Sequence, residues 1–143
     1  MIDSNVWVAA LRSRDGASFR LLEAVLDGRI EAFASPALML EYEDVLLRTA
    51  QLAAFWTDAN EVARFIGTLA DRMRPVQIYF SWRPQLRDAD DELVLECAAN
   101  ARARAIVTFN LADFLPAAHE FGIDVLRPGV VVRRHGLMGG MLQ

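Results

Sequence analysis

The chain contains no lysine: all 15 of its basic residues are arginine. That absence removes three mechanisms at once. A P-loop needs a lysine near the phosphates, and a pyridoxal-phosphate enzyme needs one for its Schiff base. A phospho-receiver domain, also an α/β fold with clustered aspartates, normally carries one too. Cysteine is almost as scarce. The single Cys97 cannot form an internal disulfide and has no partner cluster for zinc, so its role is core packing. No apolar run approaches the ~18 residues that span a bilayer, because Arg12, Arg14, Arg29 and the acids interrupt every candidate segment. Acidic Asp3 stands where a signal peptide would be positive, so a cytoplasmic protein with no membrane contact is expected. Positive charge is also in short supply. A formal charge of -4 argues against non-specific coating of nucleic acid, which rests on many basic groups. It leaves room for chemistry on nucleic acid, since carboxylates around a divalent cation inflate the negative count.

What is present is enough for one self-folding domain. The chain has 143 residues, 54% of them hydrophobic and only 24% charged. Ile2-Asp3 reads as the end of a short strand, followed by an apolar segment from Val6 to Leu11 that can turn into helix. Gly16 to Leu26 is helical, with Phe19, Leu22, Val25 and Leu26 on one face and Gly28 as its stop. A buried strand is expected over Ile30 to Ala34. Ser35 as N-cap and Pro36 at the first helical position then start a helix to about Arg48. Asp58 and Glu61 form a capping box for a helix from Ala59 to Met73, with Val62, Phe65, Ile66 and Leu69 as its stripe and Pro75 as its end. Strands are expected at Val76 to Phe80, Ala105 to Thr108 and Ile123 to Leu126, and helices from the acids Asp88 to Asp91 to Asn100 and from Pro116 to Phe121. Alternating strands and helices predict an α/β domain with a mostly parallel sheet covered on both faces. The domain is expected to span 1–128, followed by a loosely ordered tail over 129–143 that contains Gly136, Gly139 and Gly140.

Polar residues just after strands take priority in such a sheet, because ligands bind at the carboxyl ends of parallel strands. Asp3 follows the first strand, Asn110 and Asp113 follow Ala105 to Thr108, and Asp88, Asp90 and Asp91 stand between a strand and a helix. Glu41 joins them from within a helix. It shares a face with Ala37, Leu38, Val45 and Leu46, and a buried carboxylate there calls for a cation or partner, unlike Glu43 or Asp44 on the wetter side. Four carboxylates without histidine or cysteine form a hard, all-oxygen site suited to Mg2+ or Mn2+ rather than zinc. The matching chemistry is phosphodiester hydrolysis, with a water acidified by the metal and phosphate charge neutralised. Each acid also has a plainer reading. Acids at helix starts stabilise the helix dipole, Asp113 suits a turn, and an acid near a terminus is ordinarily surface.

Four stretches in order carry a resemblance. Ile2-Asp3-Ser4-Asn5-Val6 resembles the opening motif of the PIN-domain family, and Ser35-Pro36-Ala37-Leu38-Met39-Leu40-Glu41-Tyr42 its second motif, whose acid falls on Glu41. Arg87-Asp88-Ala89-Asp90-Asp91-Glu92-Leu93-Val94-Leu95 with Ala98 resembles the third, whose metal-facing acid best matches Asp91, with Asp88 in reserve. Ile106-Val107-Thr108-Phe109-Asn110-Leu111-Ala112-Asp113-Phe114 resembles the fourth. The resemblance runs to about Pro128. It implies a three-layer α/β/α sandwich around a parallel sheet, Mg2+ or Mn2+ at the acids, and metal-dependent nuclease action, usually on RNA. It is closest to small bacterial members that act as the endoribonuclease toxin of a type II toxin-antitoxin pair, often called VapC-type. Members usually have several strand residues before the first Asp, whereas here only Met1 and Ile2 precede Asp3, so either this strand is unusually short or the start is set too late.

The resemblance implies Asp3, Glu41 and Asp91 as principal catalytic and metal-site acids, with Asp113 as fourth and Asp88 in reserve. Asn5 is assigned to orient Asp3 or the attacking water, Thr108 offers a hydroxyl at the same edge, and Asn110 is the other polar position of the fourth motif. Arg87 stands beside the cluster, where it can meet a phosphate or pair with Asp88 or Glu92. His119 and His135 accompany no acid motif and are not assigned to catalysis. Trp56, Phe80 and Trp82 can stack on unpaired bases, with core filling as the plainer role. The apolar excess suits a homodimer and a groove for an antitoxin helix. Two rivals stand beside the ribonuclease: a non-catalytic PIN-like binding module, and a structure-specific DNA nuclease.

Overall fold

A computed structural model describes residues 1–79 and 86–137. Three extended segments define the half of the molecule that matters most here. The backbone of Met1 to Asp3 runs parallel to the strand β3 found at Ala105–Val107: the Met1 amine donates to Ala105 O at 3.1 Å, Val107 N to Met1 O at 2.8 Å, and Asp3 N to Val107 O at 3.0 Å. On its other side β3 pairs in parallel with β4, Asp124–Leu126, in the register Ala105↔Asp124, Ile106↔Val125 and Val107↔Leu126. The second parallel pair joins β1, Phe33–Ala34, to β2, Arg74–Pro75.

Helices fill the intervals. They are α1 (Ser4–Arg12), α2 (Ala17–Leu26), α3 (Pro36–Leu46), α4 (Thr49–Leu52), α5 (Ala59–Arg72), α6 (Ala89–Ala101), α7 (Leu111–Phe114), α8 (Ala117–Glu120) and α9 (Pro128–Arg134). Several begin where local chemistry dictates. Ser35 accepts a hydrogen bond from Leu38 N at 3.1 Å and Pro36 takes the first position of α3, while Asp58 accepts from Glu61 N at 2.9 Å to cap α5. Gly28, at φ +76°, supplies the left-handed turn after α2. The buried stripe of α5 is Val62, Ile66 and Leu69, with Phe65 half-buried. Trp7 lies at the centre of the core, fully buried, with its ring edge-on to Tyr42 at 6.0 Å and to Phe65 at 5.7 Å.

The structure corrects four expectations. The strand placed at Val76 to Phe80 is at Arg74–Pro75 instead, where Arg74 N and Val76 N donate to Ala32 O and Ala34 O; Phe80 lies outside the described residues. The short helices α4 and α7 were not foreseen. The expectation of loose order after Pro128 fails over 128–137: Pro128 opens α9, and Val131, Val132 and Leu137 are buried, with α9 packed on α2. Burying those apolar groups outweighs the helix-breaking tendency of the glycine-rich end. Trp56 fills no core either. It is 40% exposed, donates from Nε1 to Ala10 O at 3.0 Å, and carries the Arg14 guanidinium 4.2 Å above its ring. Trp82 lies outside the described residues. No helix among those described is long and apolar enough to cross a membrane.

Candidate metal centre

Asp3 ends the segment paired to β3 and is only 7% exposed. Its neighbour across that pairing is Thr108, fully buried one residue beyond β3. The Thr108 hydroxyl donates to Asp3 Oδ2 at 2.8 Å and accepts from Asn110 N at 3.0 Å and from Asn5 Nδ2 at 3.3 Å. One donated and two accepted bonds saturate a hydroxyl, so its orientation is fixed. Phe109 N closes the ring with a long 3.5 Å bond to Asn5 Oδ1. Tyr42, on α3 next to Glu41, donates its buried hydroxyl to Ile2 O and so ties the helix bearing one acid to the backbone bearing another.

Asp3, Glu41 and Asp91 line one hollow of about 270 Å³, together with Asn5, Asp88, Asp90 and Asn110. Glu41 is half-buried, not buried as expected, because α3 carries it to the rim, while Glu43 and Asp44 are exposed. Asp88 caps α6, accepting from Asp90 N at 2.8 Å, and Asp91 is half-buried in the first turn of the same helix. Asp113 is not in this hollow. It lines a larger one of about 720 Å³ that shares Asp88 and Asp91 as a common wall and also contains Arg87. Among the described residues Arg87 forms no ion pair, so the pairing with Asp88 or Glu92 weighed for it is not made; Glu92 instead accepts from Leu86 N. His119 and His135 are exposed and line neither hollow.

The electrostatics are those of like charges held together. Burial, and then the charges of Asp3, Asp88, Asp113 and Asp90, push the Asp91 carboxyl up to about 7. Burial raises Asp3 against the opposing bond from Thr108, with the Asp113 charge adding to the rise. Glu41 is raised by burial first and then by Asp90 and Asp44. Nevertheless, no group of three acids, histidines or cysteines among the described residues stands close enough to grip a metal directly. An all-oxygen set that shares one hollow without three donors at direct bonding range fits a small hard cation that keeps several of its waters, as Mg2+ does.

Sequence reasoning placed Asp90 at this edge but overlooked Arg48 and Gln51 of the smaller hollow as site members. Arg48 was discoverable, since Glu41, Val45 and Arg48 follow the spacing of one helical face. It pairs with exposed Asp44 at 2.7 Å. Gln51 accepts from Arg12 at 2.8 Å, a contact across 39 residues that no local pattern announces.

A search of curated proteins and a search of solved structures each gave no match. A family model described as PIN domain matches residues 1–112, and that span holds the segment ending at Asp3, the helix of Glu41, the acidic start of α6 and the Thr108 hydroxyl. The chain belongs to the PIN-domain family, an α/β family whose members are commonly nucleases and typically use divalent metal ions.

Proposed function

We propose that this chain is a metal-dependent endoribonuclease that hydrolyses RNA phosphodiester bonds and serves as the toxin of a type II toxin-antitoxin pair. The observation that carries the hydrolase reading is the convergence of Asp3, Glu41 and Asp91 on one hollow from three separate elements. Asp3, Asp91 and Glu41 are the residues that would hold the divalent cation, with Asp113 adding charge from the adjoining hollow. When bound, Mg2+ or Mn2+ acidifies water and offsets charge developing on the phosphate. The Thr108 hydroxyl holds the Asp3 carboxylate in one orientation, and Asn5 and Asn110 hold Thr108. Arg48 lines the smaller hollow and Arg87 the adjoining one, and each supplies positive charge that a phosphate can meet.

The toxin role rests on the likeness of the ordered motifs and the domain size to small bacterial members, and the three-layer sandwich is proposed on the same ground. Exposed Leu40, at 67%, is an apolar side chain that a second copy or an antitoxin helix would cover. Light scattering that returns a strict monomer would remove the homodimer.

The test is cleavage of single-stranded RNA with Mg2+ or Mn2+ against chelator, repeated with Asp3→Asn and Asp91→Asn and with branched DNA as an alternative substrate. Metal-dependent RNA cleavage lost in both variants supports the assignment. Undiminished cleavage in the variants would sink the site, and preference for branched DNA would replace the substrate class.

A further inference from the structure

The acid chemistry draws on the larger hollow only at the shared wall and through the charges of Asp113 and Arg87, leaving the rest of its lining without a role. It measures about 720 Å³, within the ~300–1,000 Å³ range of ligand pockets. Its sides are unlike those of the smaller hollow. Leu86, Leu115, Pro116 and Ala117 make an apolar surface, Arg87 stands as a cation with no ion pair among the described residues, and Glu120 at the end of α8 adds a carboxylate at an exposed position. Asp88 and Asp91 open it directly onto the acid cleft. The family match ends at residue 112, so the wall formed by Asp113, Leu115, Pro116, Ala117 and Glu120 lies outside the part of the chain that the family pattern accounts for.

We propose that this hollow is a nucleobase subsite that selects the nucleotide beside the scissile phosphate, preferring a base with an exocyclic amino group over uracil. The inference rests on the ribonuclease reading of the adjoining acids. An unstacked base gains from packing on an apolar wall whatever its identity. Selection comes from the polar groups. Glu120 and Asp113 are acceptors only, so they favour the two-donor amino groups of adenine, cytosine or guanine over uracil, whose single N3–H donor lies between two carbonyls that face the carboxylate oxygens. Arg87 meets the adjacent phosphate, which the acids alone would repel.

The experiment measures binding of fluorescent ten-nucleotide A, C and U homopolymers by anisotropy in Ca2+, with cleavage of the same RNAs in Mn2+ run in parallel. The wild type is expected to bind the A and C polymers at least about fivefold tighter than U. Glu120→Gln adds a donor and should bring the three within about twofold of one another. Ala117→Trp fills the hollow and should weaken binding of all three about tenfold, with its melting temperature recorded to confirm folding. Equal binding of all three polymers by the wild type overturns the subsite, as do variants indistinguishable from it. Cleavage without discrimination keeps the nuclease and removes the subsite, whereas discrimination without cleavage keeps the subsite and removes the nuclease.

Discussion

The hydroxyl of Thr108 donates to Asp3 Oδ2 at 2.8 Å, joining two residues 105 positions apart in the chain. Both are buried, so the bond lies where water cannot substitute for it. Thr108→Val keeps the shape and deletes the hydroxyl, leaving the Asp3 carboxylate and Asn110 N short of a partner. The expected cost is about 1–3 kcal/mol in urea unfolding, with RNA cleavage reduced at least about tenfold. Thr108→Ser should recover most of both, and a Ser variant no better than Val would refute the role of the hydroxyl.

Stability of the metal-free protein should fall as pH rises. Asp91 titrates from 3.8 in an unconstrained chain to about 7 in the fold. Because the folded value is the higher one, its contribution is fully present below about 4 and is lost as pH climbs through about 7. Melting temperature with chelator should therefore drop by a few degrees between pH 5 and pH 8, a modest amount because Asp91 is only half-buried. Asp91→Asn should flatten that drop. A variant with the same pH slope as wild type would show the repulsion to be negligible.

Divalent metal should reverse the same loss. At pH 8, millimolar Mg2+ or Mn2+ is expected to raise the melting temperature by several degrees, and chelator should cancel the gain. Asp3→Asn should abolish the response. A shift of equal size in that variant would place the cation elsewhere.

Position on α3 separates two neighbouring acids. Glu41 lines the hollow and is half-buried, whereas Glu43 is exposed and lines a separate depression with Leu40 and Leu47. Glu41→Gln should lower cleavage at least about tenfold, while Glu43→Gln should stay within about twofold. Equal effects in a side-by-side rate measurement would undo the distinction.

Tyr42 supplies a further check through packing. Its hydroxyl reaches Ile2 O, so Tyr42→Phe leaves a buried carbonyl without that donor and loosens the segment that ends at Asp3. A loss of about 1–2 kcal/mol is expected, with cleavage falling while RNA affinity is unchanged. If stability and rate both hold, the contact carries no weight.

What could be read from the chain followed the range of the interaction concerned. Ser35-Pro36 and Asp58 to Glu61 announced their helices because caps act within three residues. The strand beside Phe33 was misplaced because pairing with Arg74 is decided across about forty residues, and Val76 reads as more strand-like than Pro75. The helix at Pro128–Arg134 opens on Pro128 and carries the apolar run Val130 to Val132, but its order comes from packing on α2, which nothing local beside the later glycines announces. The acids stood out because burying or crowding carboxylates is costly and needs a reason. Arg87 was legible as a neighbour of the acids but its pairing was not, because that depends on where its neighbours' side chains go. Gln51 and the split of the cleft into two hollows likewise depend on tertiary placement alone.

The pairing of Met1 to Asp3 with β3 also sets a schedule. Asp3 is made before the backbone and hydroxyl that hold it, which belong to residues 105–108. Proteins are synthesised from the N-terminus at roughly 5–20 residues per second, so a growing chain carries its first acid for several seconds before the groups that position it exist. A chain that stops short of residue 105 lacks the β3 pairing and the Thr108 bond to Asp3. The hydrogen bond that fixes the Asp3 carboxylate can therefore form only after Thr108 has been made, late in the synthesis of the acid cluster.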